Sequence, residues 1–179
     1  MSLEVWFKAE KIDAGNKALA YKYNGSSGYG VDLQGMRPRF FVTTSGTPFC
    51  SCDAPFDIEA NKWFLITGTY ESSSGDLLVY VNGELENACS CVGGIDINNA
   101  DMSIGGRSDS GSDLFTGVID EVKLYNYSLN GKEVRNNYYN YDSLAKGCCN
   151  YITLVSPEKF GYNYSVFAEN TSYSSKLFY

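Results

Sequence analysis

Short runs of alternating apolar and polar residues, each ending at a turn rich in glycine, serine or asparagine, recur along this chain and point to antiparallel sheet. Leu3-Glu-Val-Trp-Phe7 sets Leu3, Val5 and Phe7 on one face and Trp6 on the other. Residues 18–23 repeat the pattern and run into the turn Asn24-Gly-Ser-Ser-Gly-Tyr-Gly30. Strands follow at 30–33 and 39–44, and 45–61 reads as a loop. Trp63-Phe-Leu-Ile-Thr-Gly-Thr-Tyr70 is a strongly apolar strand ending at Glu71-Ser-Ser-Ser-Gly75. Residues 76–81 and 84–86 flank Asn82-Gly83, the dipeptide that favours the hairpin turn matched to strand twist. Met102-Ser-Ile-Gly105 and 118–125 complete about nine strands, the pattern of a β-sandwich. No long helix and no repeat is visible.

The end of this series carries more detail. In 118–125, simple alternation assigns Val118, Asp120, Val122 and Leu124 to one face and Ile119, Glu121, Lys123 and Tyr125 to the other. Beyond a polar turn, Asn130 with Glu133 three residues later has the spacing of a helix capping box, which predicts one short helical turn.

The whole stretch Phe115-Thr-Gly-Val-Ile-Asp-Glu-Val-Lys-Leu-Tyr-Asn126 resembles the closing signature of laminin-G-like, concanavalin A-like jelly-roll domains. Leu3-Glu-Val-Trp-Phe7, Trp63 to Tyr70, Leu78-Val-Tyr-Val-Asn-Gly83 and Ile104-Gly105 are similar to the family's other motifs, in the right order. The resemblance covers 3–134 and implies an all-β, concanavalin A-like jelly-roll sandwich of two antiparallel sheets. It also implies a domain that binds rather than cleaves. Set against the family, the chain begins late enough to lack the usual opening strand. It also continues past Val134 into a tyrosine-rich extension with strand-like runs at 151–155 and 162–167. We therefore divide it into a sandwich, 1–137, and an extension, 138–179, that fills the vacancy on the same copy or on a neighbouring one. The 118–125 strand is expected to border that vacancy.

Composition narrows the function. The chain of 179 residues carries a net charge of −7 and no histidine. An acidic surface argues against nucleic acid, and the absence of imidazole excludes a Ser-His-Asp triad, a Cys-His pair and histidine-bound zinc. No apolar run approaches a membrane span, and no signal-like segment opens the chain, so export is expected through a leader now removed or by another route.

Six cysteines, as Cys50-Ser-Cys52, Cys89-Ser-Cys91 and the vicinal Cys148-Cys149, suggest disulfides and an oxidising, extracellular setting. Residues i and i+2 of a strand share a face, so two Cys-x-Cys strands could be bridged twice. The 50/52 pair is expected to join 89/91 or 148/149. Free thiols are one alternative, and a four-thiolate zinc site is another, although its spacing departs from the usual knuckles. Sequons at Asn24, Asn126, Asn163 and Asn170 are glycosylation candidates consistent with an exterior location.

Three groups invite a functional reading. Asp109-Ser-Gly-Ser-Asp113, with Asp101, could offer oxygens to calcium, which the resemblance favours; the alternative is a solvated acidic loop. Tyr21, Tyr23 and Tyr29 flank a glycine-serine loop and could stack on pyranose rings; the alternative is half-buried strand tyrosines. Asp120, if buried, needs a hydrogen-bonding partner. Retaining glycosidases place an acid and a nucleophile about 5 Å apart, and no strand here alternates carboxylates to do so. The expected function is non-enzymatic recognition or adhesion toward glycan or protein. The second reading is a structural subunit of a surface layer, filament or virion, assembled by terminal-strand exchange.

Overall fold

A computed structural model describes residues 1–11, 13–107 and 109–145. The strand-like runs at 151–155 and 162–167, together with Cys148, Cys149, Asn163 and Asn170, lie outside the described residues.

Ten strands precede one helix: β1 (Ser2–Ala9), β2 (Lys17–Tyr23), β3 (Gly28–Gln34), β4 (Arg37–Val42), β5 (Cys50–Asp53), β6 (Trp63–Glu71), β7 (Asp76–Val81), β8 (Glu84–Ser90), β9 (Ser103–Ile104), β10 (Gly117–Tyr125) and α1 (Gly131–Ala145). They form two five-stranded sheets, ordered β10-β1-β6-β7-β8 and β5-β4-β3-β2-β9. Among the described residues every strand pairing is antiparallel. The sheets face one another across a core that includes Leu3, Val5 and Phe7 of β1, Leu19 of β2, Val31 and Leu33 of β3, Phe40 and Val42 of β4, and Ile66 of β6. The expected alternation holds in β1, where Leu3, Val5 and Phe7 face inward and are fully buried. At Gly68 a Cβ would lie 2.0 Å from Cγ of Phe40, so this inward glycine admits an aromatic ring from the opposite sheet. Asn82 and Gly83 both have positive φ, 53° and 83°, as the expected hairpin turn requires.

Three local expectations need correction. Residues 45–61 are not wholly loop, because Cys50–Asp53 pairs with β4; four residues with a serine between two cysteines carry little apolar alternation. Ile119 joins Val122 and Leu124 against the core while Val118 is 41% exposed. The cause is a register shift: Val5 pairs with Val122 but Phe7 with Ile119, so β10 carries an extra residue there. That irregularity reverses the face assignment for the first part of the strand. β10 forms one border of its sheet, and among the described residues its only strand partner is β1.

The third correction concerns the helix, which runs for 15 residues rather than one turn and continues across position 137/138 without a break. Its start is as expected: Asn130 Oδ1 accepts from Lys132 and Glu133 N–H, and Glu133 Oε2 accepts from Asn130 N–H. The sequence after it is rich in asparagine and tyrosine, poor helix formers, so its length depends on packing. Val134 packs with Tyr80 and Leu129, and Tyr138 stacks on Trp6 with ring centroids 5.6 Å apart. Trp6 points away from the core, yet it is buried, because α1 covers the outer face of the first sheet.

Beneath the helix lies Glu4, also buried. Its carboxylate accepts from the Thr67 hydroxyl at 3.1 Å, the Tyr125 hydroxyl at 3.0 Å and the Asn137 amide at 3.1 and 3.2 Å. Burial raises its pKa above the ordinary value, and these hydrogen bonds offset only part of that shift. A raised folded-state pKa contributes stability below the unfolded value and loses it as pH climbs through the folded one. Glutamine has the same shape and can serve the same partners, since both hydroxyls can turn to accept. E4Q is therefore expected to be at least as stable as wild type at pH 7 and to flatten stability between pH 4 and 7. Urea midpoints across that range measure both effects. E4A, which strands three donors and leaves a cavity, is expected to cost about 3 kcal/mol.

Candidate ligand-binding face

With the first sheet covered by α1, the outer face of the second carries the exposed chemistry. Strand register aligns its residues in cross-strand rows: Tyr21, Gly30, Phe41 and Ser51 form one, and Asp32, Arg39 and Asp53 form part of another. Gly30 is required at its position. A Cβ there would fall 2.5 Å from Tyr21 Cδ1 and 2.7 Å from Phe41 Cε1, so the two rings close over a bare backbone. They meet edge to face with centroids 5.0 Å apart.

From this floor an aromatic strip extends both ways. Tyr23 packs edge-on to Phe41 at 5.6 Å, and Phe49, 48% exposed, stacks parallel on Phe41 at 5.2 Å. Arginines flank it: Arg107 lies 5.5 Å from the Tyr23 ring, and Arg39 lies 5.8 Å from the Phe49 ring and 5.9 Å from the Phe41 ring. The strip runs from Arg107 through Tyr23 and Phe41 to Phe49, with Arg39 beside the last two rings.

Both guanidiniums are held by carboxylates. Arg39 Nε and Nη2 donate to fully buried Asp32 at 2.8 and 2.5 Å, its Nη1 donates to Gln34, and the Tyr21 hydroxyl donates to the same carboxylate. Burial opposes the Arg39 charge, but the Asp32 hydrogen bonds and charge prevail and hold its pKa above the ordinary value. Burial, reinforced by the Asp32 charge, pushes the Tyr21 hydroxyl well above the usual phenol range. Tyr21 is thus a proton donor to Asp32, and both Asp32 oxygens are occupied. Arg107 Nε and Nη2 donate to Asp109 at 3.0 and 2.6 Å, and its Nη1 lies 3.5 Å from Asp113. The Arg107 hydrogen bonds hold the Asp109 carboxyl below its usual range. Asp53, beside Arg39 in register, keeps one buried carboxylate oxygen, Oδ1, without a hydrogen-bond partner.

The structure distributes the anticipated site residues unevenly. Tyr23 reaches the strip half-buried, whereas Tyr21 forms its floor and Tyr29 packs against the inter-sheet core on the other side of β3. Asp109 and Asp113 converge on Arg107, and Asp101 stands exposed at the surface. Among the described residues no three His, Cys, Asp or Glu side chains gather as a metal-holding group. Asn24 is exposed, and its side-chain oxygen accepts from Ser26 and Ser27 N–H within the β2–β3 turn. Asn126 is exposed at the rim of a shallow concavity of about 330 Å³ with Met1 and Tyr70. Asp120 is half-buried, and Glu121 is the buried neighbour, 2.9 Å from Lys123 Nζ.

Cys50 bonds Cys91 and Cys52 bonds Cys89, with Cα separations of 6.2 and 5.6 Å. The first of the two anticipated pairings is therefore the one formed. β5 and β8 are edge strands of different sheets, so the two bridges tie the sheets together along one side. Sequence reading missed Asp32, Arg39, Phe41, Phe49 and Arg107. One signal was present: Asp32 sits between Val31 and Leu33, so it points out of the core and requires a cross-strand partner.

Two antiparallel sheets, one face screened by a helix and the other carrying aromatic rings between polar groups, define a lectin-like jelly-roll sandwich. The chain belongs to the concanavalin A-like lectin/glucanases superfamily, whose laminin G family model matches residues 1–135. Solved structures agree on the fold. A Bacteroides ovatus ATCC 8483 protein provisionally described as carbohydrate binding aligns with TM-score 0.62 at 16% identity, covering 75% of this chain and 39% of its own. The CBM40 of a Ruminococcus gnavus IT-sialidase, bound to α2,3-sialyllactose, aligns at 0.61 and 14% identity, covering 76% and 81%. A SAP-like pentraxin of Limulus polyphemus aligns at 0.58 and 14%, covering 76% and 68%. This chain thus spans about two fifths of the Bacteroides protein. No curated protein matches the sequence. Among the described residues no helix is long and apolar enough to cross a membrane.

Proposed function

We propose that the protein is a non-enzymatic, extracellular carbohydrate-recognition module that binds glycan on the outer face of β2–β5. The observation that carries this reading is Phe49, half-exposed and backed by Phe41, with Arg39 beside it and Tyr23 against Phe41. A ring held flat by a second ring offers its free face to the C–H side of a pyranose, while polar groups at the margins meet the hydroxyls. Two structural neighbours support the reading, one provisionally described as carbohydrate binding and one solved with sialyllactose. The site gives hydrolysis little to work with, since Asp32 is committed to Arg39 and Tyr21. Two disulfides fit an oxidising compartment.

The test is glycan binding by the full chain. F49A is expected to weaken binding about tenfold or more, in the range for losing a stacking platform, with an unchanged melting temperature because the ring is half in solvent. Binding that is indifferent to F49A places the ligand elsewhere. Absence of binding across a broad glycan array refutes the proposal.

A further inference from the structure

We infer that the Cys50–Cys91 bridge and the segment it leads into, 91–95, form a clamp that holds Phe49 in position for its ligand. The inference rests on the recognition reading above and adds the residues that position its platform. Phe49 belongs to no strand: it ends the connection between β4 and β5, and β5 begins at Cys50. That connection contains Ser45-Gly-Thr-Pro48, a run with little apolar surface to bury. A ring carried on such a loop binds well only if the loop is already fixed, because ordering it on binding costs conformational entropy.

One neighbouring segment supplies contacts along the whole loop. At its start, Thr44 pairs with Ile95 in an isolated antiparallel bridge, the Thr44 hydroxyl donates to the Val92 carbonyl at 2.5 Å, and Ser45 N–H donates to the Gly94 carbonyl at 3.3 Å. In its middle, a Cβ on Gly46 would fall 2.6 Å from the Val92 carbonyl oxygen, so the two backbones touch. At its end the join is covalent, through Cys50 and Cys91, one residue from Phe49. The clamping segment is itself anchored: Cys91 N–H donates to the Gly75 carbonyl at 2.8 Å, and the hydroxyl of buried Tyr70 donates to the Gly93 carbonyl at 2.5 Å. The second bridge does not reach this loop, because Cys52 and Cys89 both lie within strands, paired with Phe40 and Leu77. Both bridges tie the sheets, but only Cys50–Cys91 fixes Phe49.

The experiment compares C50S/C91S with C52S/C89S in the full chain, two variants expected to lower the melting temperature to a similar extent. The probe is the oligosaccharide that the wild type binds most tightly on a broad glycan array. C50S/C91S is expected to weaken its binding about fivefold or more, and C52S/C89S less than about twofold. Gly46 has no positive φ, so alanine suits its backbone, and G46A tests the contact without touching the sulfurs. It is expected to weaken binding about threefold or more by pushing the loop off Val92. In an F49A background the losses from C50S/C91S and G46A should each shrink to less than about twofold, since the clamp acts through that ring. Hydrogen exchange needs no ligand: the amides of 43–50 are expected to exchange about tenfold faster in C50S/C91S than in C52S/C89S. Affinity and exchange that change equally in the two bridge variants overturn the inference, as does a loss that persists in full without Phe49. A wild type that binds no glycan overturns the recognition reading, and exchange alone then decides whether the clamp exists.

Discussion

Serine at all four of Cys50, Cys52, Cys89 and Cys91 is expected to lower stability by about 4 kcal/mol, while removing either bridge alone costs about 1 kcal/mol. The asymmetry follows from nesting. Cys50–Cys91 and Cys52–Cys89 span sequence separations of 41 and 37, and each loop alone would restrict the unfolded chain by nearly the same large amount. Once one bridge is closed, however, the other closes only a ring of a few residues and removes little further entropy. Either bridge therefore keeps β5 of one sheet against β8 of the other, at the side of the sandwich where both sheets end. Thermal or urea unfolding of C50S/C91S, C52S/C89S and the quadruple variant tests this. The quadruple variant should melt roughly 10 °C lower than wild type. Two equal costs that simply add would contradict the nested arrangement.

R39A is expected to destabilise the protein by about 3–5 kcal/mol, because it leaves the fully buried Asp32 carboxylate without its counter-charge. R39K should recover only part of this, since an ammonium cannot make the paired Nε and Nη2 contacts. The pH dependence gives the result a sign. Burial already raises the Asp32 pKa, and in wild type the Arg39 hydrogen bonds and charge work against that rise. Without Arg39 the folded-state value climbs further. A carboxyl raised in this way favours the folded state below its unfolded pKa and disfavours it as pH rises through the folded value. The deficit of R39A relative to wild type should therefore shrink from pH 7.5 to pH 4.5, as measured by urea midpoints. A deficit that grows on acidification would mean that Asp32 is not the source of the cost. Since Arg39 also lies against Phe41 and Phe49, the variant should lose ligand binding as well.

Much of the scaffold was readable locally. Leu3, Val5 and Phe7 alternate without interruption, Asn82-Gly83 names its own turn, and the Asn130/Glu133 spacing defines a helix start. Each of these depends on neighbours within a few residues, where period and steric preference act directly. β5 escaped because four residues containing two half-cystines carry too little pattern, and the face of Ile119 escaped because a bulge resets the alternation. The length of α1 was hidden for a different reason. Its sequence does not favour helix, and the surface that holds it comes from residues distant in the chain: Trp6 and Glu4 on β1 and Tyr80 on β7.

The binding face lies almost entirely in that second category. Tyr23 could be singled out from its loop, but its neighbours Phe41 and Phe49 come from another strand and another loop, brought together by the register of β2, β3 and β4. The sequence by itself determined that the chain is a β-sandwich, because alternation and turn chemistry are short-range properties, and the resemblance of its motifs to a known family implied the concanavalin A-like kind. The tertiary structure alone decided which sheet the helix covers and which cysteines meet. It also decided which aspartate neutralises which arginine, because cross-strand partners are set by register and layer packing, neither of which is written in the spacing of residues along one strand.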